Sequence, residues 1–215
     1  MESIENALKR GSNLLRSRKR MVSTNDYISE IISYSDTIDK VKCITGMTRE
    51  KEKEEAAINF VLLLKDFEEG NHSFHEIAED VKKSLLENCE LTISEKDLHI
   101  VEPVFVDINV SAWVETYQAD VGFEIQNLLT DCLKEYLNPL TSAAGRGWEI
   151  GTLPKKSQIA MKINSLHSES VIRKIAVTAV YADHSGRHEV DLEELSLTPF
   201  MICRSGEHRI HVTYA

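Results

Sequence analysis

From Val104 to Tyr117 apolar and polar residues alternate without a break. Val104, Val106, Ile108, Val110, Ala112 and Val114 point one way, and Phe105, Asp107, Asn109, Ser111, Trp113 and Glu115 point the other. An extended chain has a side-chain period of two, so this run predicts one long strand with one buried face. A strand of this length needs paired neighbours and a layer over its apolar side, which commits this part of the chain to a sheet with helices packed on it. Phe105 and Trp113 stand on the otherwise polar side. Two large rings there predict packing against a further surface, a helix of the same module or a partner protein.

Helical spacing follows from about Ala119 to Tyr136 through Val121, Ile125, Leu128, Leu129, Cys132, Leu133 and Tyr136, and Asn138-Pro139 stops it. Gly145, Gly147, Trp148, Gly151 and Pro154 then fall within ten residues. Glycine permits positive φ and proline holds φ at about −65°, so the stretch reads as a tight structural turn and not as a flexible linker. A short helix is expected from Ser157 to Leu166, a strand from Val171 to Tyr181, and a turn at Asp183-His184-Ser185-Gly186. The tail reads as a segment from Glu194 to Arg204, a turn at Ser205-Gly206, and a closing strand from Glu207 to Tyr214.

Upstream, Ser23 or Thr24 is placed to cap a helix over 24–34 whose apolar stripe is Tyr27, Ile28, Ile31 and Ile32. Ile38 to Thr45 reads as a strand, and 46–55 lacks apolar periodicity and reads as an exposed loop. Ala57 to Lys65 is nearly continuous in apolar residues, which suits a strand covered on both faces. Ser73-Phe74-His75-Glu76 has capping-box spacing before a helix to about Asn88. The fold class is therefore α+β, with two small modules carrying helices on largely antiparallel sheets and a C-terminal β-hairpin-like tail. The expected divisions are a basic arm over 1–22, a first module over 23–97, a second over 98–183 and the tail over 184–215.

The net charge of −10 argues against bulk nucleic-acid binding, which needs a basic footprint. The exception is a cationic run, Arg16, Arg18, Lys19 and Arg20, which reads as a solvated face or a partner contact. No run approaches the about 18 apolar residues of a membrane helix, and the N-terminus is polar and basic, so a protein kept in a reducing cytoplasm is expected. Cys43, Cys89, Cys132 and Cys203 are widely spread, without zinc-finger spacing, and read as buried thiols.

Among the histidines, His72 and His75 flank a helix start, and His184 and His188 flank a turn. His208 and His211 are three apart on a strand, which sends them to opposite faces. No nucleophile elbow is present, and Gly145-Arg146-Gly147 does not continue into a phosphate loop. Catalytic residues, cofactors and metal ligands are therefore not expected, nor is a small-molecule substrate.

Two stretches carry a family resemblance. The first runs from Leu14 through Arg16-Ser17-Arg18-Lys19-Arg20 to Tyr27 and on to Val41-Lys42-Cys43. The second begins at Val101-Glu102-Pro103 and passes through the long strand and helix to Leu137-Asn138-Pro139-Leu140. It continues through Gly147-Trp148-Glu149-Ile150-Gly151 and Pro154 to the strand Val171–Val180. In this order they resemble the baseplate J-like proteins of contractile phage tails and related injection machines. The resemblance implies a baseplate wedge subunit with no catalytic residues. It also implies other wedge and hub proteins as partners, self-association within the baseplate ring, and incorporation into a phage tail or tail-like particle. Arg16, Arg18, Lys19, Arg20, Phe105 and Trp113 are the candidate contacts. The family usually carries a further N-terminal region that this sequence is expected to lack. Two other readings stand beside it: an unrelated intracellular α+β module that binds a protein or peptide, and a small metal- or cysteine-dependent hydrolase.

Overall fold

A computed structural model describes residues 23–49, 53–68, 72–88, 93–116, 122–142, 147–166 and 170–214. Two compact units make up the protein, Met1–Pro103 and Val104–Ala215.

In the first unit, α1 (Thr24–Tyr34) leads into β1 (Ile38–Thr45), β2 (Ile58–Leu64), α2 (His72–Asn88) and β3 (Leu98–Val101). Ser23 caps α1: its hydroxyl accepts from Asp26 N at 3.3 Å, and the Asp26 carboxylate accepts from Ser23 N at 2.8 Å. Two helix-start amides are thereby satisfied reciprocally. The helix α2 begins at His72, so Ser73 stands inside it and not at the cap position its spacing suggested. The sheet order is β1-β2-β3, with β1 antiparallel and β3 parallel to β2. Central β2 is almost wholly buried, as its unbroken apolar run requires. Tyr27 and Ile31 of α1 and Phe74, Ala78, Val81 and Leu85 of α2 pack with Phe60, Leu62 and Leu64. The Tyr27 and Phe60 rings stack with centroids 5.9 Å apart.

The second unit holds β4 (Val104–Thr116), α3 (Gly122–Tyr136), α4 (Lys156–Asn164), β5 (Ser170–Asp183), β6 (Gly186–Asp191) and β7 (Met201–Tyr214). Its sheet order is β6-β5-β4-β7. The β6–β5 and β5–β4 pairs are antiparallel, and β4–β7 is parallel. The alternation of β4 is realised in full: Val104, Val106, Ile108, Val110, Ala112 and Val114 are buried, with the intervening residues half-buried. Ile125, Leu129 and Leu133 of α3 and Ile159 and Ile163 of α4 supply the buried helix faces. Thus the protein is α+β with two mixed sheets.

Three expectations need correction. The strand β3 joins the first unit by pairing with β2, so the division falls after Pro103 and not near residue 97. The residues after 184 are no separate tail, because β6 and β7 flank the second sheet on its two sides. Within that segment Ser205-Gly206 is not a turn. β7 passes straight through it, and the extra residue is taken up as a register shift against Ile108 and Val110. A β-bulge absorbs the residue that a turn would have needed.

Candidate interface and the tryptophan turn

The exposed side of β4 is where the sequence places its two unexplained rings. Both have partners within the sheet. Arg204, opposite Asp107 in the parallel register, donates to both carboxylate oxygens at 2.6 and 3.1 Å. The same guanidinium lies 5.2 Å from the centroid of the Phe105 ring. Trp113 sits between its register neighbours: His211 of β7 stacks on it at 5.3 Å and 21°, and the Lys174 ammonium of β5 lies 5.0 Å from its centroid. Ring quadrupoles attract cations over their faces, so each ring is held by its own sheet and stays half-buried. Arg173 adds an ion pair to Glu115. Among the described residues, this face is a mosaic of rings and paired charges, a rigid surface in which the aromatic groups are already oriented.

The glycine-tryptophan turn performs a different task. Gly147 and Gly151 both have positive φ, 64° and 84°, a backbone conformation that glycine adopts at little steric cost. The Trp148 indole N–H donates to the Tyr136 carbonyl at 2.8 Å, and the two rings meet edge to face at 5.6 Å. Tyr136 ends α3, and the last carbonyls of a helix have no partner within it, so the indole caps α3 at its C-terminal end. Asn138 secures the exit by accepting from the Leu140 and Thr141 amides at 2.8 and 3.2 Å. Beyond it Gly151 N donates to Met201 O, and Thr152 bridges in parallel to Ile202. The turn thus ties the end of α3 to the start of β7, with Ile150 and Pro154 buried beneath it. Arg16, Arg18, Lys19, Arg20 and Gly145 lie outside the described residues.

One constellation has the residue types of a nucleophilic triad. At the β5–β6 turn, Asp183 Oδ1 accepts from Ser185 N at 2.8 Å and from Ser185 Oγ at 2.6 Å, and lies 2.9 Å from His188 Nε2. These bonds, the Ser185 hydroxyl first, hold the Asp183 carboxyl well below the usual range. Ser185 Oγ also lies 2.8 Å from the same His188 nitrogen. A relay needs the carboxylate and the nucleophile on opposite ring nitrogens. Here both meet Nε2, and the Tyr181 ring stacks on the imidazole at 5.1 Å. The cluster locks a turn.

His208 and His211 occupy opposite faces, paired with Val110 and Trp113. His208 Nε2 bonds Ser205 Oγ at 2.9 Å inside the bulge, and its Nδ1 is buried without a partner. Burial, and then the positive Lys134, push its pKa down to about 4. Among the described residues, no group of three or more His, Cys, Asp or Glu is placed to hold a metal ion. No described helix is long and apolar enough to cross a membrane.

No family model matches the sequence, and no curated protein matches it. Among solved structures, the fold is similar to that of a protein in the cryo-EM structure of the anti-feeding prophage baseplate, with a TM-score of 0.57 at 11% identity. The match covers 96% of this sequence and 42% of the other, so the protein spans less than half the length of that relative. The likeness is one of fold, to a segment of that protein.

Proposed function

We propose that this protein is a structural component of a contractile-tail baseplate, a wedge subunit of the baseplate J-like type that works through protein–protein contacts and not through catalysis. The observation that carries this reading is the fold likeness to a baseplate protein over 96% of the sequence. The order of the basic segment, long strand and glycine-tryptophan turn supports it independently, because that resemblance lies in the sequence alone. The half-buried Phe105–Trp113 face suits such a role. Interfaces favour aromatic groups and arginine whose conformations are fixed before binding. Neighbouring wedge and hub proteins, and further copies of the same protein around a ring, are the partners in this reading, and the assembled tail-like particle is its location.

The test is proteomics of tail-like particles sedimented from the source organism after prophage induction. Co-enrichment of this protein with sheath and tube proteins at a low, fixed ratio is expected. Complete particles assembled without it would overturn the reading.

A further inference from the structure

The second unit opens with β4 and closes with β7, and these two strands are neighbours running in the same direction. Their register extends from Val104–Met201 at one end to Thr116–Tyr214 at the other. The start of β4 and the end of β7 therefore lie at opposite ends of one ladder, roughly 40 Å apart at the usual rise of a strand. Tension between these two points runs parallel to the strands and perpendicular to the general line of the inter-strand bonds. In that geometry the bonds share the load and must fail together. In the alternative geometry, where the load crosses the strands at one end, they open one at a time.

We infer that the second unit is a tension clamp, in which force entering at Val104 and leaving at Tyr214 is carried in shear by the β4–β7 ladder. Two features reinforce the ladder from the side. The Arg204–Asp107 pair and the Trp113–His211 stack both cross from β4 to β7, one near each end. The Gly151–Met201 bond and the Thr152–Ile202 bridge hold the first residues of β7 on its other edge. The inference rests on strand order and register and stands independently of the baseplate role.

The same sheet supplies its own control. β5 is antiparallel to β4, with Tyr181 opposite Val106, so the β5–β6 turn lies at the end where β4 begins. Pulling between position 102 and position 184 peels the sheet from that end. Pulling between position 102 and the C-terminus shears it.

The experiment is single-molecule force spectroscopy on the 215-residue protein. One DNA handle is clicked to p-azidophenylalanine in place of Glu102 in both preparations. The second is joined either to the C-terminus or to p-azidophenylalanine in place of His184, an exposed turn residue. Unforced tryptophan fluorescence and circular dichroism matching the unmodified protein establish that both preparations are folded. The shear geometry is expected to rupture at about twice the force of the peel geometry or more, since rupture reports the forced unfolding barrier. A rupture force in shear no higher than in peel would overturn the clamp.

Discussion

Gly206 lies in the bulge of β7, and its replacement gives a sharp test of how that bulge is built. The backbone there is not left-handed, since the glycines with positive φ are Gly46, Gly147, Gly151 and Gly186. The demand for glycine is therefore one of space. A β-carbon on Gly206 would collide with Asn109 Oδ1 and lie 3.2 Å from both Asn109 Cγ and the Ile108 carbonyl carbon. Asn109 Oδ1 meanwhile accepts from Glu207 N at 2.8 Å, which fills the bulge with a side-chain amide. In Gly206→Ala the asparagine must swing away. The lost hydrogen bond costs about 1 kcal/mol, and the displaced side chain adds about 1–2 kcal/mol of packing strain. The reduced freedom of the unfolded state returns about 0.5 kcal/mol. A net loss of about 2 kcal/mol is expected. In an Asn109→Ala background the collision with the amide is gone and the 3.2 Å approach to the Ile108 carbonyl carbon remains, so the same substitution should cost less than about 1 kcal/mol, leaving a coupling of about 1 kcal/mol or more. Urea unfolding followed by tryptophan fluorescence isolates the relevant unit, because Trp113 and Trp148, the protein's two tryptophans, both belong to Val104–Ala215. If Gly206→Ala costs the same in both backgrounds, the amide is not what excludes a β-carbon and the reasoning fails.

Trp148→Phe keeps a ring against Tyr136 but removes the donor to its carbonyl. A loss of about 1–2 kcal/mol is expected in the same urea assay with Trp113 as reporter, and an unchanged midpoint would deny the indole its capping role. Trp113→Ala removes a half-buried ring from the exposed side of the sheet. It should cost about 1–2 kcal/mol and also reduce incorporation into sedimented particles; unchanged stability together with unchanged incorporation would remove Trp113 from the interface. His208 is held neutral in the folded state, with its pKa below the value of about 6.5 for an unperturbed histidine. Protonation then favours unfolding, so stability is full above pH 6.5, falls as pH drops toward 4, and stops falling from this source below that. Allowing for partial exposure, the loss across this window is about 2 kcal/mol. His208→Gln should flatten the stability profile between pH 6.5 and 4 by that amount, and an equally steep profile in the variant would refute the assignment.

What the residues reveal before folding is which side of each element is inside. The alternation of β4, the continuous apolar run of β2 and the Ser23 cap are local patterns, and each is realised at the expected residues. The elements that escape reading lack such a pattern. Leu98-His99-Ile100-Val101 is too short to display a period, although β3 completes the first sheet. Ser205-Gly206 has turn composition, and the bulge found there engages the side chain of Asn109, nearly a hundred positions earlier. The partners of the singled-out rings are equally distant. Lys174 and His211 reach Trp113 through register, and Trp148 meets a backbone carbonyl, a group that every residue possesses. Periodicity assigns faces, whereas strand order is decided by which apolar faces can be covered together. A parallel neighbour for β4 requires a crossover through α3, α4, β5 and β6 before β7 returns beside it. That crossover determines where the two ends of the unit emerge. The direction in which the sheet resists force is thus a property of its topology, carried by no single motif and open to measurement without knowledge of any partner.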